Sequence, residues 1–352
     1  MAPTAGQRPP GPMLLSPILK EKVWGGDRLR RFPSKGVTPG ASIGESWEAS
    51  GLAEDPSRIA SGPWEGASLR ELVSELGTAL LGPLADRREF PLLLKLIDAR
   101  ERLSLQVHPP HREDRPQAPP GKAEAWYVLE GGPLVLGLAA NADAGELASA
   151  LRESRDPSGL LEHVVARPGD TIPVAPGTLH SIGEGVLVVE LQQPADITYR
   201  VHDWGRQGRQ LHLEQALAVL DPLAGHRPRP GPLELVRGNN QFSFLTGCRH
   251  FGMERARLVE HLPWVRATES VELLLCLEGR FTIGPRSAAQ PLAAGPGDTV
   301  LLPAACPEVW IEPSEPVTLL VGYPCRLERE LYDRMLAWGF AGEEVATRIF
   351  PA

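Results

Sequence analysis

The chain has 352 residues, 42% of them hydrophobic and 23% charged, with a formal net charge of −8. That length allows two domains and an ample core, and the acidic balance argues against a general nucleic-acid or anionic-membrane surface. No run of about eighteen apolar residues occurs, and Met1–Pro12 lacks an apolar core, so we expect neither a membrane span nor a signal peptide.

The first predicted elements are short. Residues 1–12 are expected to form a disordered tail, and residues 13–62 to form short strands and turns. A helix is predicted between residues 66 and 82, where apolar residues recur at spacings of three and four, with Ser68 as a suitable N-cap. Elsewhere 36 glycines and 36 prolines interrupt short apolar runs, which is typical of a mainly β chain.

Two strand-like segments follow, and both carry polar residues. Phe90–Ala99 is a continuous apolar run containing Lys95, which predicts a buried strand with one charge that needs a partner. In Leu103–His108 the polar residues alternate with apolar ones, so they share one face of the predicted strand. A hairpin is predicted around Glu130-Gly131-Gly132.

The next part of the chain mixes helices and strands. Helical segments are predicted within 142–164 and at His212–Leu220, with strands at Thr171–Val174, Leu187–Gln192 and Thr198–Val201. Residues 223–237 begin with a Pro, Gly and Arg-rich stretch and are predicted to be a linker. We therefore expect an N-terminal domain over 13–222 and a second domain of short strands over 238–352.

Two short motifs occur twice, which indicates an internal repeat. Leu129-Glu130-Gly131 returns as Leu277-Glu278-Gly279, and Pro168-Gly169-Asp170-Thr171 returns as Pro296-Gly297-Asp298-Thr299. Two β-barrels of similar design are predicted, the first enlarged by a small helical insert. In the second copy Glu272 takes the place of Glu124, but no histidines accompany it, so that barrel is expected to be metal-free.

Candidate metal ligands come from three separate segments of the first copy. Gln106 and His108 lie two apart on one strand face, while Glu124 and His180 follow at a distance, the latter after a Pro-Gly turn. Imidazole nitrogens with carboxylate and amide oxygens suit zinc, and also manganese, iron or cobalt. We predict a four-ligand site inside the first barrel.

An ordered series of motifs around these residues resembles the type I mannose-6-phosphate isomerases, most closely their short bacterial form. The likeness covers about residues 13–325 and runs through the following segments: Trp24-Gly25-Gly26, Ile43–Glu48, Phe90–Ala99, the three ligand segments and Thr198–Arg206. The resemblance implies two cupin (jelly-roll) barrels, one Zn²⁺ per chain held by the four ligands, and interconversion of mannose 6-phosphate and fructose 6-phosphate through an enediol(ate). It also implies that Arg200 is an active-site arginine.

The remaining roles are assigned by chemistry. Isomerisation needs a base beside a polarised carbonyl, and Lys122 and Glu190 are both candidates. Phosphate binding needs cations and hydroxyls, for which Ser104, Lys95 and Arg206 are available.

Two alternatives stay open: a cupin isomerase acting on another sugar or sugar phosphate, and a non-catalytic cupin that binds sugar or metal.

The four cysteines, at positions 248, 276, 306 and 325, fit no zinc motif and are too few for a disulfide scaffold. We expect reduced core thiols in a cytoplasmic protein, present as a monomer or homodimer, with a sugar phosphate as its partner.

Overall fold

Short antiparallel strands are the commonest element of the computed structural model, which describes residues 10–111, 117–225, 231–286 and 290–352. Most of the predicted tail lies outside these ranges. The strands are β1 (Met13–Ser16), β2 (Ile18–Gly26), β3 (Ile43–Ser50), β4 (Arg58–Ile59), β5 (Leu93–Asp98), β6 (Leu105–Val107), β7 (Glu124–Glu130), β8 (Gly132–Leu138), β9 (Leu161–Ala166), β10 (Thr171–Val174), β11 (His180–Ile182), β12 (Leu187–Gln192), β13 (Tyr199–His202), β14 (Leu233–Arg237), β15 (Asn240–Gly247), β16 (Gly252–Leu258), β17 (Leu262–Pro263), β18 (Glu272–Glu278), β19 (Phe281–Gly284), β20 (Leu292–Ala294), β21 (Thr299–Leu302), β22 (Trp310–Pro313) and β23 (Val317–Tyr323).

The helices are short. They are α1 (Leu69–Leu76), α2 (Thr78–Leu81), α3 (Ala144–Arg152), α4 (Leu213–Val219), α5 (Asp333–Ala337) and α6 (Gly342–Ala346), with 3-10 turns at Arg28–Arg31, Pro33–Lys35, Gly82–Arg87 and Ser158–Leu160 and a π-helical turn at Leu327–Tyr332. Within the described ranges, no helix has the length and apolar character needed to cross a membrane.

The predicted helices are found with altered boundaries. Ser68 caps α1 through a capping box with Glu71, as expected, but the predicted 66–82 helix is divided at Gly77, whose φ of 46° ends α1. The prediction of helix up to residue 164 was wrong at its C-terminal end. Leu161–Ala166 is a strand paired with β8, because α3 already ends at Arg152 and the valines of the later segment favour a strand.

The strands of the described residues form four sheets. Their orders are β10-β7-β12-β5-β3-β2, β13-β6-β11-β8-β9, β14-β15-β16-β23-β18-β21-β1-β4 and β17-β22-β19-β20. The order of the six-stranded sheet recurs in the eight-stranded one as β21-β18-β23-β16-β15-β14, and the four-stranded sheet repeats β6-β11-β8-β9 of the five-stranded one. The two repeated sequence motifs therefore belong to a repeated topology.

Two segments cross the expected domain limits. β1 pairs with β21, so the N-terminal strand belongs to a sheet built mainly from C-terminal strands. β14 occupies residues 233–237, the end of the range assigned to the linker, and pairs with β15. Residues 226–230 of that range are outside the described part.

The sheets are stacked in layers because their strands alternate between two apolar faces. In β12, Leu187, Val189 and Leu191 join a core shared with Leu273, Leu275 and Leu301 of the eight-stranded sheet, whereas Val188 faces a second core against the five-stranded sheet. Cys276 and its neighbours on the far side of β18 pack toward the four-stranded sheet, and α3 and α4 cover the outer face of the five-stranded sheet. The six-stranded sheet is thus buried on both faces.

The four cysteines are free, as predicted. Cys248, Cys276 and Cys325 are buried and Cys306 is half-buried. Burial raises the pKa of Cys276 to about 12 and that of Cys306 to about 11, so both stay protonated at neutral pH.

Leu191 tests the contact between the six- and eight-stranded sheets. It is fully buried, and Gly322 of β23 approaches it so closely that an added Cβ there would lie 3.0 Å from its Cδ1. Leu191→Ala should lower the free energy of unfolding in urea by about 2–5 kcal/mol, since a cavity remains in a layer that cannot collapse. The control Val165→Ala, at a side chain 75% exposed, should change it by less than about 0.5 kcal/mol. Equal effects of the two variants would contradict this packing.

Candidate metal centre

One row of side chains across the five-stranded sheet begins the site. Gln106 of β6 lies opposite His180 of β11 on one side and opposite Arg200 of β13 on the other. Residues paired across antiparallel strands point to the same face, so these three side chains share one side of the sheet. His108 follows Gln106 by two residues and continues that face.

Glu124 comes from the facing, six-stranded sheet. It is the first residue of β7 and lies between Val174 and Gln192 on the neighbouring strands. Ligand atoms of His108, Glu124 and His180 all lie within 4.8 Å of one another, and all three side chains are buried. The two sheets therefore bring together residues that are far apart in sequence, as predicted.

A turn fixes the two histidine segments to each other. Gly177, with φ of 85°, takes the left-handed conformation after Pro176, and its amide donates to the carbonyl of His108 over 2.9 Å. The predicted Pro-Gly turn thus sets where His180 begins its strand and also binds the end of the strand that carries His108.

The distances within the cluster suit one divalent ion. His108 Nε2 lies 3.3 Å from Glu124 Oε2, and His180 Nε2 lies 3.4 Å from Glu124 Oε1. Ligand atoms about 2.0–2.1 Å from a tetrahedral zinc ion are themselves about 3.4 Å apart. The Gln106 amide is 3.2 Å from His180 Nε2, and turning that amide about its last bond presents its oxygen instead.

The protonation states also suit a metal. His180 Nδ1 donates to the Thr178 carbonyl over 2.8 Å, which leaves Nε2 as an unprotonated donor atom. Burial, with Lys122 nearby, lowers the pKa of His108 to about 3, and burial lowers the pKa of His180 as well. Burial alone would raise the pKa of Glu124, but Lys122 and the histidines hold it well below its usual range. The cluster therefore combines neutral imidazoles with a carboxylate anion.

The carboxylate of Glu124 contacts ionisable neighbours without a well-formed hydrogen bond among the described residues. It is fully buried, yet neither of its oxygens accepts a hydrogen bond of proper geometry from the described residues. Lys122 Nζ lies 2.9 Å from Glu124 Oε2 and 3.0 Å from His108 Nε2, so its ammonium occupies the space beside the ligand atoms and compensates the charge. Buried carboxylate oxygens without donors are what a metal ligand requires, and the residues fit a divalent ion.

A second row of polar side chains crosses the six-stranded sheet. Trp47, Lys95, Glu190 and Trp126 lie opposite one another on four adjacent strands and share the face that carries Glu124. Lys95 Nζ is 3.4 Å from Glu190 Oε1 and 5.2 Å from the Trp47 ring, and Trp126 Nε1 donates to Glu190 Oε2 over 2.9 Å. Glu190 is thus the partner that the charge of Lys95 required.

The pKa values of both buried ionisable side chains in this row are raised. Burial, with Glu124 nearby, raises the pKa of Glu190 above its usual value despite the two lysines. Burial opposes the charge of Lys95, but Glu190 and Glu45 outweigh it and raise the pKa of that ammonium. A carboxyl group whose pKa moves toward neutrality is suited to accept and return a proton.

The other predicted residues lie beside the cluster or farther along the surface. Ser104 is buried two residues before Gln106. Arg200 donates to the Gln210 carbonyl over 2.8 Å, and its Nε has no hydrogen-bond partner among the described residues. Arg206 donates to Asp203 and to the Arg102 carbonyl, and no described hydrogen bond or ion pair joins it to the metal ligands.

Sequence reasoning did not identify two contributors to the site. Trp126 positions Glu190, and its ring lies 5.7 Å from that of His180. Its place two residues after Glu124 on one strand is a signal that could have revealed it. Thr178 acts through its backbone carbonyl, for which the sequence carries no signal.

Comparison with known proteins gives a consistent result. A sequence model of the catalytic domain of type I phosphomannose isomerase matches residues 13–130. The YvyI protein of Bacillus subtilis (strain 168), which bears the name mannose-6-phosphate isomerase provisionally, is 39% identical over 325 residues, covering 89% of this chain and 98% of YvyI.

Comparison with solved structures points to the same family as the sequence comparison. The mannose 6-phosphate isomerase from Bacillus subtilis matches with a TM-score of 0.77 and 29% identity, over 89% of this chain and 100% of its own. A zinc-bound mannose 6-phosphate isomerase matches with a TM-score of 0.69 and 18% identity, over 90% of this chain and 100% of its own, a likeness that shows the fold.

His180→Ala tests the metal centre. The variant should bind a divalent metal more than about 100-fold more weakly, because losing a direct ligand costs at least as much as losing an outer partner. Metal content per chain after dialysis, measured by mass spectrometry, checks this. The control His163→Ala removes a strand histidine whose ring contacts the Ser158 carbonyl outside the cluster and should leave the metal content unchanged. Full retention of metal by His180→Ala would exclude this site.

Proposed function

Since this chain belongs to the type I phosphomannose isomerase family, we propose that it interconverts mannose 6-phosphate and fructose 6-phosphate. The observation that carries the proposal is the buried cluster of His108, Glu124 and His180 beside the Lys95–Glu190 pair. A set of metal donors next to a carboxyl group of raised pKa is what moving a proton between adjacent sugar carbons requires.

We infer that one Zn²⁺ per chain is held by Gln106, His108, Glu124 and His180. Support comes from the donor types, the spacing of their atoms and the Glu124 oxygens that lack donors. When bound, a divalent ion polarises the oxygens of the sugar and acidifies the carbon beside the carbonyl. Lys122 would then have to move from its position between Glu124 and His108.

Glu190 is the side chain that we assign as the base. It removes the proton from the carbon beside the carbonyl and returns it to the neighbouring carbon through an enediol(ate). Trp126 and Lys95 hold its two oxygens from either side, so the carboxyl group is fixed in direction. Lys122, the other candidate, is engaged in an ion pair with Glu124 at 2.9 Å and points at the ligand atoms instead.

The remaining assignments follow from position. Arg200 stands opposite Gln106 with Nε unpartnered among the described residues, so its guanidinium can stabilise the negative charge that develops on the sugar oxygens. Ser104, on the same face two residues before Gln106, and Lys95 are assigned to the substrate, with Arg206 at the periphery.

The fold supports a two-barrel interpretation. We infer that the six- and five-stranded sheets form one cupin-like barrel, within 13–222, and that the other two sheets form a second one, within 238–352 with β1 added to it. The repeated strand order supports this division. The second barrel is assigned no metal, since Glu272 contacts no histidine among the described residues and pairs instead with Arg266 at 2.9 Å. Buried free thiols fit a reducing, cytoplasmic location.

Removal of the metal tests the reaction and the substrate together. Chelator should abolish conversion of fructose 6-phosphate, and Zn²⁺ should restore it, because a divalent ion held by the four ligands would polarise the sugar oxygens directly. Turnover of a panel of free and phosphorylated sugars is the measurement. Faster conversion of another sugar would indicate an isomerase of different specificity, and sugar binding with zero turnover after zinc loading would indicate a non-catalytic protein.

Glu190→Gln tests the identity of the base. The variant should lower kcat by about 10²- to 10⁴-fold, the range for a lost general base, while the metal content stays unchanged. The control Glu184→Gln, at an exposed turn position, should retain full activity. Exchange of the substrate's carbon-bound hydrogen with deuterated water should also stop. If exchange persists in Glu190→Gln and stops in Lys122→Met, the base is Lys122.

A further inference from the structure

A cavity of about 300 Å³ lies inside the second sheet pair, far along the chain from the metal ligands. Its walls come from the inner face of β14–β16, from residues 259–267 and from the end of α5. The lining includes the aromatic rings of Phe242, Trp264 and Trp338 together with Glu254 and Arg334. Its volume is at the lower end of the range of about 300–1,000 Å³ for small-molecule sites.

This cavity occupies the place that the polar row occupies in the first sheet pair. Glu254 of β16 lies opposite Val321 of β23, which lies opposite Leu274 of β18. In the repeated strand order these strands correspond to those carrying Lys95, Glu190 and Trp126. The alignment of the two Leu-Glu-Gly motifs places Leu274 on Trp126. The second copy therefore keeps an opening at the position that the first copy uses for chemistry.

The polar groups of the cavity are already paired. Glu254 accepts hydrogen bonds from the Tyr323 hydroxyl and forms an ion pair with Arg334, whose guanidinium also lies 4.5 Å from the Trp338 ring and donates to Tyr323 over 2.9 Å. The negative charge of Glu254 and the positive charge of Arg334 balance each other. A ligand with a net charge of either sign would therefore be repelled by one of the two side chains. Arg334 Nε has no hydrogen-bond partner among the described residues and leaves one donor available.

The remaining surface is aromatic and apolar. The Phe242 and Trp264 rings are tilted against each other with centroids 6.3 Å apart, and Trp264 is held by its donation to Glu272 over 2.9 Å. A purely apolar ligand would cover Glu254 and Arg334 without offering them hydrogen bonds. A ring with C–H faces for the aromatic side chains and hydroxyls at its edge meets both requirements.

We propose that this cavity is a second binding site, for an uncharged hydroxylated ring of the size of one unphosphorylated monosaccharide. The site binds and does not catalyse, because Glu272 belongs to no cluster of three metal-ligating side chains among the described residues and Val321 stands where the first copy has Glu190. It stands apart from the isomerase reaction, and binding at it requires no metal.

The experiment uses the full-length protein, treated with chelator so that no turnover occurs, and D-mannose as the probe. Saturation-transfer NMR and calorimetry should show saturable binding that excess fructose 6-phosphate and inorganic phosphate do not displace. Ala267→Leu fills the cavity from a buried position while keeping the backbone amide that Glu272 binds, and Trp338→Ala removes one aromatic wall. Each should weaken binding at least tenfold.

The control is Val236→Ala, an exposed position on β14 that does not line the cavity and should leave binding unchanged. Unaltered isomerase turnover of all three variants, measured with metal restored, verifies that they fold. Absence of D-mannose binding, binding that survives both cavity variants, or displacement by either phosphate compound would overturn the proposal. None of these outcomes bears on the assignment of the isomerase reaction.

Discussion

The charge of Glu124 is the constraint on which the metal centre depends. The side chain is fully buried between two sheets, where an ionised carboxylate without compensation costs several kcal/mol. Lys122 compensates it directly, and the two imidazoles stay neutral around it. A divalent cation is the natural counter-charge for such a cluster.

The strand register keeps these charges where they can be compensated. β5 presents Leu94 and Leu96 to the eight-stranded sheet, and β12 presents Val189 and Leu191. Lys95 and Glu190 point to the opposite face, toward the candidate metal centre. A slip of one residue would turn both charges into the apolar layer, so the apolar packing between sheets also fixes the direction of the reactive groups. Rigid strands, rather than loops, carry every ligand except His108, which follows its strand immediately.

The alternation of side chains between the two faces of a strand explains what could be predicted from the sequence. It placed Gln106 and His108 on one face and identified Lys95 as a buried charge in need of a partner, but it could not identify Glu190 as that partner, since pairing between β5 and β12 depends on the order of strands. The resemblance to a known family supplied the link from these residues to Glu124 and His180. The addition of β1 to the C-terminal sheet had no local signal, because four residues can pair with any free edge.

The repeated strand order places a buried carboxylate at one equivalent position in both copies, Glu124 in the first and Glu272 in the second. Each buried acid of the second copy has a partner suited to its surroundings. Glu272 is held by Arg266 and the Trp264 indole, and Glu254 is held by Arg334, which the C-terminal helix brings across the opening. In the first copy no arginine of the described ranges forms an ion pair with Glu124, and His108, His180 and Lys122 surround it. The difference between a metal centre and an aromatic cavity therefore comes from which side chains compensate the buried carboxylates.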